Sequence, residues 1–188
     1  MTPPAVELPA DLPADLPVLY DPEFEPGWAP LLARALAEAP WDERMRARRT
    51  ASLGRSYDYS GLSYPELPFP PWLAELRRRI AARVGFAPDN CLLNDYPTGD
   101  QTMGFHVDNV ADLEPGTGVV IVSLGGPRTL RFRRLAARGE VALLRLAPGS
   151  LTHLTDAVQA TWQHGVAAEP GAGRRVSLTF RRLRARPE

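Results

Sequence analysis

The spacing of hydrophobic positions changes once along the chain, near Gly85, and the change separates a helical part from a β part. Before it, Trp28, Leu31, Leu32, Ala35 and Leu36 recur at helical spacing. Trp72, Leu73, Leu76, Ile80 and Val84 repeat the pattern after the paired prolines Pro70 and Pro71. Two amphipathic helices are predicted, with Trp28 and Trp72 on their apolar stripes and therefore in the core. After Gly85 come short apolar runs broken by glycine and proline, at 91–96, 118–124, 129–134, 141–146, 150–154, 164–168 and 176–183. Short strands at this spacing predict a mainly β protein with flanking helices, either an antiparallel barrel or a two-sheet jelly roll, with the helices on the outer face of one sheet.

Composition refines this picture without overturning it. Residues 1–27 carry prolines at 3, 4, 9, 13, 17, 22 and 26 and read as an extended arm, which leaves 28–188 as a single domain. A chain of 188 residues with 44% hydrophobic and 23% charged positions suits one domain with its own core. One cysteine, Cys91, excludes an internal disulfide framework. No apolar run reaches membrane-spanning length and no secretory signal opens the chain, so a cytoplasmic monomer with no membrane partner is expected.

Net charge is zero but unevenly spread. Residues 1–44 hold nine acids against two arginines, 45–116 nine against eight, and 117–188 four against twelve. The basic end fits either a phosphate-bearing partner or a set of solvated strand faces. Every basic side chain counted is arginine.

Candidate chemistry starts from the histidines, of which there are three: His106, His153 and His164. On a strand leading into a loop, His106 and Asp108 share a face, because positions i and i+2 point the same way. A third ligand must come from a neighbouring strand, and His164, preceded by Trp162 and followed by Gly165 and Val166, stands at a plausible strand start. His153 competes, although in L-T-H-L it reads more simply as a half-buried strand residue. Two histidines and a carboxylate leave three open positions on an octahedral ion, as non-haem ferrous oxygenases require. Arg175, Ser177, Thr179 and Arg181 also share a strand face, and Asn94 and Tyr96 share another. Guanidinium forks suit a small dicarboxylate such as 2-oxoglutarate. Burying this many polar groups costs stability unless a ligand satisfies them, which points to a site. Arg174, Arg182, Arg184 and Arg186 are assigned to a solvated face.

N-D-Y at 94–96, H-V-D at 106–108, W-Q-H at 162–164 and R-V-S-L-T-F-R at 175–181 occur in this order. Together they resemble the AlkB family of Fe(II)- and 2-oxoglutarate-dependent dioxygenases. R-R-T-A-S-L-G-R-S-Y-D-Y-S-G at 48–61 is similar to that family's nucleotide-recognition lid, here placed at 45–64. The resemblance covers about 48–183 and implies a double-stranded β-helix, a jelly roll holding a metal between its sheets. It implies His106, Asp108 and His164 as iron ligands. Asn94, Tyr96, Arg175, Thr179 and Arg181 are implied as 2-oxoglutarate contacts, with Arg175 and Tyr96 at the remote carboxylate. The implied reaction uses O2 and turns 2-oxoglutarate into succinate and CO2 while an N-methyl group on a nucleic-acid base is oxidised and lost as formaldehyde. Tyr57, Tyr59 and Ser60 match the family's substrate element, with Tyr59 as the stacking residue. Phosphate contacts are expected from Arg48, Arg49, Arg55, Arg131, Arg133, Arg134 and Arg138.

Two departures from the family pattern qualify the substrate. Val110 stands where repair members carry an acid that meets the damaged base. The stretch between Trp41 and Arg49 leaves little room for a wedge hairpin, so single-stranded or flexible nucleic acid is expected. The alternative is the same chemistry on a modified tRNA base, a protein or a small molecule.

Overall fold

The computed structural model describes residues 12–185 except Arg46 and Ser60. In chain order the elements are β1 (Val18–Asp21), α1 (Trp28–Glu38), β2 (Arg49–Gly54), β3 (Tyr57–Tyr59), β4 (Leu62–Tyr64), α2 (Pro71–Val84), β5 (Asn90–Tyr96), β6 (Met103–His106), β7 (Val119–Gly125), β8 (Arg128–Arg134), β9 (Val141–Leu146), β10 (Leu151–Leu154), α3 (Asp156–Thr161), β11 (Trp162–Val166) and β12 (Arg175–Arg181). A single 3-10 turn, Val110–Asp112, lies between β6 and β7.

The strands form a six-stranded sheet in the order β1-β10-β7-β12-β5-β2, a four-stranded sheet β6-β11-β8-β9, and the separate hairpin β3-β4. This corrects the expectation of a double-stranded β-helix. Among the described residues neither large sheet closes on itself: β1 and β2 remain the edges of one, β6 and β9 of the other. The fold is a mixed α/β arrangement built on two open sheets.

Local sequence explains the helix ends. α2 starts at Pro71, whose fixed φ suits the first helical position, and stops at Gly85 in the left-handed region. Its buried stripe is Trp72, Leu73, Leu76 and Ile80. α1 stops at Ala39, which is extended because Pro40 follows it.

Two apolar layers result. Ala35, the α2 stripe, Cys91, Leu93, Val120, Val122, Val176, Leu178 and Phe180 form one, between the helices and the six-stranded sheet. Leu92, Val119, Ile121, Leu130, Phe132, Leu144, Leu146 and Val166 belong to the other, between the two sheets. Burying each of the larger aliphatic side chains contributes about 2 kcal/mol. Gly125 ends β7 at φ +89°, and a Cβ there would lie 2.4 Å from the Arg174 carbonyl, so only glycine lets β7 hold the start of β12 so closely. That approach positions Arg175.

The described part of the proline-rich arm contributes β1, which pairs with β10. The stretch 45–64 divides: β2 is built into the six-stranded sheet, and the β3-β4 hairpin stands apart.

Candidate metal centre

His106 ends β6 and His164 sits in the middle of β11, and the antiparallel register sets the two residues directly opposite each other. Their ring centroids are 4.3 Å apart. Asp108 lies two residues beyond β6, so strand alternation does not place it, contrary to the sequence expectation. Hydrogen bonds do. Its backbone N–H donates to Gln159 Oε1 at 3.0 Å, Gln159 Nε2 donates to its Oδ2 at 3.1 Å, and Arg181 Nη2 donates to its Oδ1 at 2.5 Å. One potential ligand atom from each of His106, Asp108 and His164 lies within 4.8 Å of the others.

Protonation states favour a cation. The Gly104 carbonyl lies 3.0 Å from His106 Nδ1, and since a carbonyl only accepts, Nδ1 is the donor and Nε2 is the ring nitrogen left for a metal. Burial and the neighbouring His106 push the His164 imidazole down to about 3, so it is neutral near pH 7. Burial works against ionisation of Asp108, but Arg181 and the two histidines outweigh it and hold the carboxyl well below its usual range. Neutral imidazole beside an ionised carboxylate is the state a divalent metal needs. His153 lies away from this group, on β10, with Nε2 2.8 Å from the Thr117 carbonyl.

Beside the triad runs a narrow slot. Asn94 and Tyr96 of β5, together with Arg175, Ser177, Thr179 and Arg181 of the adjacent β12, line the same wall. Arg175 and Arg181 start about 20 Å apart along the strand, and their long side chains enter the slot from opposite ends. Arg181 is the metal-side arginine because it holds Asp108. At the other end Arg175 Nε donates to Ser123 Oγ at 2.6 Å, and its guanidinium lies 5.3 Å from the centre of the Tyr96 ring.

The buried slot-lining atoms without a hydrogen-bond partner are Asn94 Nδ2, His164 Nδ1, Arg175 Nη1 and Arg181 Nε. All are nitrogens, and three of the four can only donate. The slot therefore holds donors with no acceptor, which is the deficit a dicarboxylate fills. The triad and these donors fit a ferrous ion with 2-oxoglutarate.

A wider pocket adjoins the slot on the solvent side and is lined by Met45, Tyr57, Tyr59, Phe105, His106 and Asn109, among others. Tyr59 lines both spaces. Tyr57 is buried, with the Arg181 guanidinium 4.7 Å from its ring centre. Ser60 lies outside the described residues. Val110 is not brought to the site: 52% exposed, it borders a separate surface groove with Leu113 and Ala160.

Several arginines expected on phosphates are engaged within the fold. Arg48 is buried and donates to Asn94 Oδ1 at 2.8 Å, to the Tyr59 hydroxyl at 2.5 Å and to the Thr102 carbonyl at 3.2 Å. Arg49 and Arg174 share the buried carboxylate of Asp95, so Arg174 is not merely a solvated strand residue. Arg55 pairs with Asp89, and Arg134 with Asp15 and Glu140. Gln159 and the fully buried Arg128, which donates to the carbonyls of Thr98, Gln101 and Ala167, were not singled out from sequence. Neither carries a periodic or motif signal, because tertiary contacts alone define each role.

Comparison with known proteins agrees with this geometry. The model of the 2OG-Fe(II) oxygenase superfamily matches residues 28–181. DNA oxidative demethylase ALKBH2 of Mus musculus is 31% identical over 161 residues, which cover 81% of this chain and 67% of that protein. Its Homo sapiens counterpart is 31% identical over the same length, 62% of that protein. Alpha-ketoglutarate-dependent dioxygenase alkB homolog 3 of Rattus norvegicus is 30% identical over 172 residues, 80% of this chain and 58% of that protein. The match thus spans roughly three fifths of these relatives' length. The solved structure of OsALKBH1 superposes with a TM-score of 0.67 at 18% identity, covering 88% of this chain and 97% of that one, and shares the fold.

Proposed function

The chain belongs to the 2OG-Fe(II) oxygenase superfamily, in its AlkB branch, and we propose that it removes N-alkyl groups oxidatively from nucleic-acid bases. It is an Fe(II)- and 2-oxoglutarate-dependent oxidoreductase, with His106, Asp108 and His164 as the metal ligands. The observation that carries the reading is the juxtaposition of a three-ligand metal centre with a slot whose unpaired buried atoms are nitrogens. When bound, the ferrous ion and 2-oxoglutarate supply oxidising power from O2, with succinate and CO2 as by-products. An N-methyl group so hydroxylated is lost as formaldehyde.

The chain's own side chains bind and orient. Arg175 and Tyr96 hold the remote carboxylate, while Arg181 sits at the metal side and keeps Asp108 ionised and aimed. Asn94 offers its free Nδ2, and Thr179 lines the same wall. An extruded base enters the wider pocket over His106, where the Tyr59 ring stacks on it. Single-stranded or flexible substrates suit this mouth. Among the described residues between Trp41 and Arg49 there is only the isolated bridge from Asp42 to Thr50, too short to act as a wedge in a duplex.

The test is to incubate the full chain with single-stranded oligonucleotides bearing an N-methylated adenine or cytosine, ferrous ion, ascorbate and 2-oxoglutarate. Formaldehyde released in step with succinate is expected. Succinate formation with no formaldehyde from any methylated oligonucleotide refutes the nucleic-acid reading and leaves the oxygenase intact.

A further inference from the structure

The outward face of the four-stranded sheet carries two arginines that share one aromatic ring. Arg131 and Arg133 project from β8 and reach across β11 to the ring of Phe105 on β6, with their guanidinium carbons 5.2 and 4.3 Å from its centre. They cross above Gly165, which β11 sets opposite Arg131 and which presents no side chain in their way. Gly165 itself is tightly held: a Cβ there would lie 2.8 Å from the Met103 carbonyl. Among the described residues neither arginine pairs with a carboxylate. Among the described residues the Arg133 side chain donates only to Gln163 Oε1, at 2.6 Å from Nη2, and the Arg131 side chain makes no hydrogen bond. By contrast, Arg49, Arg55, Arg134, Arg145 and Arg174 each have an acidic partner.

Stacking uses the flat face of a guanidinium and leaves its in-plane N–H groups directed outward, already ordered, in the geometry that meets phosphate oxygens. Position gives the pair a purpose. Phe105 directly precedes His106, and it lines the substrate mouth on one side and, with Arg131 and Gly165, a shallow surface pocket on the other. Met103 and Gly104 also border both, so mouth and arginine pair form one continuous surface.

We propose that this surface, built from Phe105, Arg131 and Arg133, is a docking track for the sugar-phosphate backbone of single-stranded nucleic acid next to the base held in the mouth. The inference rests on the reading above and deepens it, since it separates the two arginines that face the strand from those that hold the fold together. Charge complementarity selects the occupant: two cations without carboxylate partners lie beside an aromatic ring at the rim of a base-sized pocket.

The experiment measures anisotropy of a labelled single-stranded oligonucleotide of about a dozen nucleotides against the full chain across a salt series. Two phosphate contacts predict that the double variant Arg131→Ala, Arg133→Ala lowers the slope of log affinity against log salt by about 1.4 and weakens binding roughly tenfold near 0.1 M salt. Arg131→Lys with Arg133→Lys keeps the charges and retains most of the slope. Phe105→Leu removes the platform but not the charges, so affinity falls several-fold at an unchanged slope. This variant reads the same surface should the double alanine variant fail to melt cooperatively.

An unchanged slope in the double alanine variant overturns the track. So does an equal loss from Arg138→Ala, an exposed arginine near the turn between β8 and β9. A poly-glutamate peptide that competes as well as the oligonucleotide assigns the surface to an acidic protein partner and overturns it too. Formaldehyde release, measured separately, keeps the two claims apart. Release with no slope change rejects the track alone, whereas a slope change with no release from methylated bases supports the track and rejects the dealkylase reading.

Discussion

The two faces of β12 teach different lessons from one stretch of seven residues. Toward the helices it presents Val176, Leu178 and Phe180, which join an apolar layer with Leu93, Val120, Leu73 and Ile80. Toward the four-stranded sheet it presents Arg175, Ser177, Thr179 and Arg181, all buried, in the wall of the metal slot. Strand alternation alone separates them, so a step of one residue moves from fold to function. The apolar face stabilises without needing any partner molecule. The polar face holds donors that the protein does not satisfy, so its stability and its activity depend on what binds.

The sharpest way to break this contrast is to alter the polar side without touching the apolar one. His164→Ala or Asp108→Ala is expected to abolish iron-dependent succinate formation while the circular dichroism spectrum stays native. A variant that loses its spectrum as well would show that the triad also holds the sheets together. The converse change, Phe180→Ala, empties a fully buried site and should cost about 3–5 kcal/mol in urea unfolding. Its residual folded fraction should bind metal normally.

Acid separates the faces next, because only the polar one titrates. The His164 imidazole, pushed down to about 3 from an ordinary 6.5, stays neutral in the fold while the unfolded chain takes up a proton. Stability of the metal-free protein is therefore full above about pH 6.5 and falls as pH drops toward 3, by on the order of a few kcal/mol. Asp108, held below its ordinary 3.8, adds to the loss only under that value. His164→Gln should flatten the upper part of the curve, and a flat wild-type curve there would contradict a buried neutral imidazole.

Finer changes sharpen the contrast further. Gln159→Leu removes both hydrogen bonds that orient Asp108 from α3 and should weaken divalent-metal affinity by about 10- to 100-fold in a cobalt titration, with the sheets unaffected. Val110→Glu is expected to change stability by less than about 0.5 kcal/mol and base preference little, because this side chain points into a groove away from both faces. A clear gain on methylated bases would mean that the turn carrying it rearranges around substrate.

α1, α2 and most strands after Gly85 were legible in the sequence because their hydrophobic periods are strong and their ends carry glycine or proline, whereas the six-residue α3 is too short to show a period. β12 was readable twice over, once as a strand and once as a motif with two arginines on one face. The open arrangement of the sheets was not, since closure depends on how edges meet in space rather than on spacing along the chain. β1 escaped notice inside a proline-rich stretch, and β2 was absorbed into the lid although Ala51 and Leu53 are buried. His106 and His164 announced themselves by rarity, whereas the position of Asp108 depends on Gln159, 51 residues away. Arg48 was expected on phosphate and Arg128 drew no expectation, because nothing in a local pattern reveals the groups that will surround a guanidinium.

One small feature sets how the two sheets can move. The Tyr20 hydroxyl on β1 donates to the Arg145 carbonyl at 2.9 Å and accepts from the Ala147 N–H at 3.0 Å, so a single phenol rivets the backbone of β9 to the edge of the larger sheet. At the opposite margin Arg48, entering β2, reaches across to the Thr102 carbonyl just before β6. The two sheets are thus tied at both margins, by a phenol at one and a guanidinium at the other. Cutting the second tie frees the edge nearest the slot, so in Arg48→Ala amide exchange in β6 should outpace exchange in β9.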